Sequence, residues 1–173
     1  MTAADRHDAL IDRLADHVLE HGLAASSLRP LAKAAGTSDR MLLYYFADKD
    51  AVIAAALDRI AARMVALLDA AAPPAPLPPA SLRDHLAPLL GDAAAWPFMR
   101  VWLDMAARAA QGDAAIRAVG GQIGQAFLDW IGHHIDVPVA ARDAAAARVL
   151  IEIEGTALLA ALGLDAAIAA ARD

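Results

Sequence analysis

Residues 36–49 read GTSDRMLLYYFADK, and this stretch decides the fold. Gly36 can take the positive φ that ends one helix. Thr37 or Ser38 then offers a hydroxyl to cap the next, which runs to about Phe46, and Asp48 caps another that opens with Lys49. A glycine turn between two short helices is the sequence shape of a helix-turn-helix.

Upstream, Leu10, Ile11, Leu14, Val18 and Leu19 recur at three- and four-residue spacing from Asp5 to His21, predicting a helix with one buried face that Gly22 ends. Asp8, Asp12, Asp16 and Glu20 form an acidic row on it at i, i+4 spacing, expected to be a solvated face turned away from phosphate. Ser27 is a plausible N-cap for a short helix over Leu28–Ala35, with Pro30 in its first turn, where a missing N–H costs little. Leu28, Leu31, Leu42 and Tyr45 are spaced to meet in one small core. Downstream, Val52, Ile53, Ala56, Leu57, Ile60, Met64, Leu67 and Leu68 mark a helix from Lys49 to about Ala72, over ~30 Å long.

Composition agrees with helices throughout. Alanine supplies more than a quarter of the 173 residues, and aromatics only 5%. The absence of cysteine excludes disulfides and thiolate chemistry. The start, MTAADRHD, makes a poor secretory signal, and the longest uncharged run, residues 70–82, carries five prolines, so a cytoplasmic chain with no membrane span is expected. A net charge of -6 argues against indiscriminate coating of nucleic acid.

After the stiff proline run AAPPAPLPPAS, Ser81 is expected to cap a helix to about Leu90, interrupted by Gly91 and Asp92, with another from Phe98 to Ala110. Two long helices follow, from Asp113 to Ile135 and from beyond Pro138 to about Leu162. Gly163 closes the last, and Asp165 caps a short terminal helix. The expected fold is all-α: a three-helix helix-turn-helix domain over 1–49, joined by the long fourth helix to a helical dimerisation and ligand domain over 50–173.

Residues 5–68 resemble the N-terminal domain of the TetR family of bacterial transcriptional regulators. The likeness rests on SSLRPLAKAAGTS and on LLYYFADKDAV, where Leu42, Tyr44, Tyr45, Phe46, Lys49, Asp50 and Val52 fill the family's pattern. Leu43 stands where the family often has tyrosine. The resemblance implies a homodimer on a double-stranded DNA operator, each protomer presenting one recognition helix, and not an enzyme. It also implies phosphate contacts from Ser27, Arg29 and Tyr45. Lys49, on the first turn of its helix, suits a phosphate on electrostatic grounds. Base reading falls to Asp39, Arg40, Met41 and Tyr44, with Ser38 at the helix start. Asp39 has a second reading, as a cap paired with Arg40 or Lys33, and Tyr45 a second, within the small core.

For the dimer, Gly120, Ile123, Gly124 and Phe127 on one long helix and Ile153, Ala157 and Ala160 on the other are expected to meet across a four-helix contact. Trp96, Met99, Trp102, Met105, Phe127 and Trp130 gather the large apolar side chains of this half and are candidates to line a pocket for a largely apolar effector. His133 and His134 near Glu152 or Glu154 give no convincing metal site, and no cofactor motif occurs. Two functions are in play: a repressor released by a small molecule, or a helical dimer of the same fold that has lost DNA reading, to which the acidic charge, Asp39 and Leu43 point.

Overall fold

The structure is a computed structural model that describes residues 2–90 and 92–171, with the backbone alone for Ala3, Ala4 and Leu90; Gly91, expected to interrupt a helix, lies outside them. Among the described residues the regular elements are helices: α1 Ala3–His21, α2 Leu28–Ala34, α3 Asp39–Tyr45, α4 Lys49–Ala70, α5 Pro79–Leu90, α6 Trp96–Ala110, α7 Ala114–His134, α8 Arg142–Ala161 and α9 Asp165–Ala170. The fold is all-α, as the sequence predicts.

The chain forms two compact units, one from Met1–Ala66 with Arg100–Ile123, the other from Leu67–Met99 with Gly124–Asp173. In the first, Thr2 and Asp5 close a capping box at the start of α1. Leu14 and Val18 of α1, Leu31 of α2, Leu42 of α3 and Val52, Ala56 and Leu57 of α4 are fully buried. Each large aliphatic side chain removed from water contributes ~1.5–3 kcal/mol, which makes this cluster the frame on which α3 is held.

The acidic row of α1 is not simply a solvated face. Arg59 Nη1 and Nη2 donate to Asp12 (2.7 Å) and Asp8 (3.1 Å), and Arg63 Nη2 and Nη1 donate to Asp12 (2.8 Å) and Asp16 (2.6 Å). Three carboxylates and two guanidiniums thus alternate along the α1–α4 seam, and α4 supplies the cations that relieve the repulsion within α1. Partial burial pushes the Asp12 carboxyl up, but the hydrogen bonds and charges of Arg63 and Arg59 outweigh it and hold the group below its ordinary range. Burial likewise lowers the Arg63 guanidinium, and its bonds to Asp16 and Asp12 raise it by more.

In the second unit α5 packs on α8. Leu82 and Leu86 of α5 and Ala145, Ala146, Val149, Ile153 and Ala157 of α8 are buried, the alanines letting the two backbones approach. Helix α5 begins at Pro79, two residues before the expected Ser81 cap, because proline's fixed φ suits a first helical turn. Asp165 is likewise the first residue of α9 and not its cap, which is Leu164. Between Pro73 and Pro79 only Ala75 and Leu77 retain an N–H, and Leu77 uses it on the His134 carbonyl (2.9 Å) while accepting from Asp136 N (2.7 Å). One parallel bridge, Leu77 to Ile135, therefore pins the connection midway.

Candidate nucleic-acid interface

Helix α3 owes its position to the turn before it. Thr37 N donates to Ala32 O (2.9 Å) and Gly36 N to Lys33 O (3.1 Å), the paired closure that satisfies the last carbonyls of α2. It requires a left-handed residue, and Gly36 has φ +69° with nothing within 4 Å of where a Cβ would stand, so backbone conformation alone demands glycine there. Arg13 Nε of α1 adds a bond to Ala35 O (3.0 Å). Ser38 Oγ then accepts from Met41 N (3.3 Å) to start α3, and Asp48 Oδ1 accepts from Ala51 N (2.8 Å) to start α4. Ser27 occupies the N-cap of α2 without a side-chain bond. Its neighbour Ser26 is the buried one and donates to Gly22 O (2.7 Å), a contact the sequence reading missed.

With Leu42 pointing inward, a rotation of about 100° per residue sets Arg40 and Tyr44 on the opposite side of α3. Both are exposed, Tyr44 by 78%. Met41 and Leu43 flank them, also exposed, while Asp39 is half-buried on the first turn. Arg40, Met41 and Tyr44 therefore share one exposed surface with Leu43 at its edge, while Asp39 lies nearer the buried side.

Tyr45 does not join the small core: Leu31 and Leu42 do, but Tyr45 is 46% exposed. Its ring lies 5.8 Å from His7 and 5.5 Å, edge-on, from Tyr44, and His7 stacks on Phe46 at 5.5 Å. His7, which the sequence reading passed over, thus braces the end of α3 from α1. It falls three residues before buried Leu10, on the inner face, and that spacing could have revealed it.

Charge sorts the surface. Arg13, Arg59, Arg63, Arg83, Arg100, Arg108 and Arg117 are all engaged in hydrogen bonds or ion pairs. Arg29, Lys33, Arg40 and Lys49 are exposed and make none among the described residues. Asp39 accordingly pairs with neither Arg40 nor Lys33. Four uncompensated cations surround α3, and polyanion binding needs such cations.

Helix α6 reaches the far end of α1. Asp104 Oδ2 accepts from Leu23 N (2.9 Å), and Arg100 Nη2 donates to the carbonyls of Glu20 (3.1 Å) and Leu19. These bonds hold the carbonyls that end α1 and the turn leading into α2. Two residues along, Trp102 and Met105 of α6, with Ile116 and Gly120 of α7, line a cleft of about 350 Å³ in the same unit.

The other residues expected in a pocket belong to the second unit, and Trp130 is structural. It is buried, donates from Nε1 to Asp69 (2.7 Å) and stacks on His134 at 4.0 Å. Met99 is buried, Phe127 half-buried and Trp96 exposed. Of the residues expected at a dimer face, Ile123, Ile153 and Ala157 are buried within the chain, Gly124, Phe127 and Ala160 are half-buried, and Gly120 lies against Met105. The apolar surface left open on α8 and its C-cap is Ile151, Leu158 and Leu162, at i, i+7 and i+11, exposed by 69, 49 and 66%. No described helix is long and apolar enough to cross a membrane.

The sequence model for bacterial regulatory proteins of the tetR family matches residues 11–56, the stretch that builds this interface. A transcriptional regulator from Rhodococcus sp. RHA1 is 26% identical and superposes with a TM-score of 0.69, over 91% of this chain and 82% of its own. A candidate TetR-family regulator from Rhodococcus sp., 22% identical, shares the fold at a TM-score of 0.68, over 90% and 87%. No curated protein matches the chain significantly. Residues 11–56 thus carry the helix-turn-helix domain of bacterial regulatory proteins of the tetR family, most of the chain shares the fold of a transcriptional regulator, and the protein is a DNA-binding regulator.

Proposed function

We propose that this protein is a homodimeric repressor whose recognition helix is α3 and which leaves its operator when a small, largely apolar molecule binds. The observation that carries the reading is the α3 face itself. Arg40 and Tyr44 stand opposite the buried Leu42, amid four cations with no partner of their own. Arg40 meets guanine through its fork, Met41 a thymine methyl, Asp39 a cytosine amine; Ser27, Arg29, Tyr45 and Lys49 take phosphates.

One such helix reads too few base pairs to find an operator, and two copies solve this by symmetry. Ile151, Leu158 and Leu162 supply the apolar seam for a second copy, with half-buried Gly155 between them allowing close approach. The cleft of Trp102 and Met105 suits the effector, because α6 also carries Arg100 and Asp104 to the end of α1. A ligand that shifts α6 would disturb the helix-turn-helix frame, and it acts only through unequal affinity for the two arrangements.

A second reading, a dimer of the same fold without DNA reading, draws on exposed Leu43 and the charge of -6. Fluorescence anisotropy with the DNA upstream of the chain's own gene separates the two. Selective, salt-sensitive binding supports the repressor; none at low salt supports the second reading.

A further inference from the structure

Two buried side-chain atoms among the described residues have no hydrogen-bond partner, His17 Nε2 and Arg142 Nε. Arg142 opens α8, and its stem lies across Gly132 of α7, where a Cβ would meet Cγ and Cδ at 3.7 Å. Neither an ion pair nor a hydrogen bond engages its guanidinium among the described residues. A charged N–H shut away from water without an acceptor is costly, and such a group signals a missing partner.

Arg142 borders a cleft of about 400 Å³ between α7 and α8, within the second unit, lined also by Gln125, Asp129, His133 and Asp143. This volume lies in the range of small-molecule sites, roughly 300–1,000 Å³. Asp129 accepts from Gln125 (2.9 Å), yet neither aspartate pairs with Arg142. His133 Nδ1 lies 2.6 Å from the Asp129 carbonyl. A carbonyl only accepts, so Nδ1 carries the proton and Nε2 of the neutral ring remains an acceptor. The cleft is thus lined by one guanidinium without a partner among the described residues and by two carboxylates, Asp129 from α7 and Asp143 from α8.

We propose that this cleft binds a small zwitterion of the free amino-acid class, its carboxylate on the Arg142 guanidinium and its ammonium toward Asp129 and Asp143. A simple carboxylate would meet two like charges, and a simple amine would leave Arg142 unmet. A zwitterion satisfies both ends. The site shares no residue with the Trp102 cleft and does not depend on the repressor reading.

Isothermal titration of the full chain with each of the twenty standard L-amino acids tests the proposal, with sodium acetate and methylammonium chloride as half-ligands. At least one amino acid is expected to bind saturably, and both half-ligands at least tenfold more weakly. Arg142→Gln and Asp143→Asn, checked by circular dichroism, should each weaken binding at least tenfold. Because Asp143 is exposed, Asp143→Asn decides the matter even where Arg142→Gln fails to fold. Saturable binding by no amino acid, equal binding of either half-ligand, or unchanged affinity in Asp143→Asn overturns it.

Discussion

Asp12→Asn removes the centre of the α1–α4 ion ladder while leaving its outer pairs, Asp8 with Arg59 and Asp16 with Arg63. Asp12 contacts both arginines, at 2.7 and 2.8 Å, but 40% of its side chain is exposed, so each contact is weighed as a solvent-screened pair. At ~0.2–1 kcal/mol per pair, the substitution costs roughly 0.5–2 kcal/mol at pH 7. The sign with pH follows from the lowered pKa of Asp12 in the folded chain. Its stabilisation is fully present above the unfolded value, near pH 4, and is lost as pH falls through the folded value. Urea unfolding of both proteins at matched protomer concentration should therefore show a gap that is constant from pH 5 to 8, shrinks below about pH 4, and narrows in 1 M salt, where screening shortens to ~3 Å. Glu20→Gln is the control, since Glu20 belongs to the same row but its carboxylate pairs, among the described residues, with His21 at 3.8 Å and with no arginine. Equal midpoints at pH 7, or a gap undiminished at pH 3, would refute the reasoning.

Gly36→Ala should destabilise by ~1–2 kcal/mol, the cost of a left-handed L-residue, measured by thermal or urea unfolding; Gly36→Asn should cost less. Arg40→Ala should lose ~1–3 kcal/mol on operator DNA and little on random DNA, whereas Lys49→Ala should weaken both alike; competition anisotropy distinguishes them. Equal losses for Arg40→Ala would remove it from base reading. Leu158→Asp, on the open face of α8, should give a monomer by light scattering at micromolar concentration, and a persistent dimer would move the interface elsewhere.

The helix-turn-helix was legible because its punctuation is local. Gly36, Ser38 and Asp48 each act within four residues, so one sequence window holds the whole signal. The ladder was half legible: the spacing of Asp8, Asp12 and Asp16 is plain, but their partners lie about fifty residues away, and no local pattern selects Arg59 and Arg63. Helix α8 was harder for the opposite reason. The spacing of Ile153 and Ala157 marks one face, but Ile151 and Leu158 are apolar too, and spacing alone does not say which face meets the same chain and which a second copy. Tyr45 illustrates a third limit: at the last position of a seven-residue helix, a side chain is placed by its neighbour His7, not by its own helix.

On the reading proposed above, the four unpaired cations around α3 also govern how the molecule meets DNA. The chain carries -6 in all, while residues 26–49 carry +2, which leaves -8 elsewhere. Most of this surface therefore repels a phosphate backbone, and one small region attracts it. Encounters that begin the wrong way round are turned aside before contact, so charge performs an orientational search ahead of any base contact. Added salt should accordingly slow productive association more than it hastens departure, and random sequence should hold the protein only briefly between attempts.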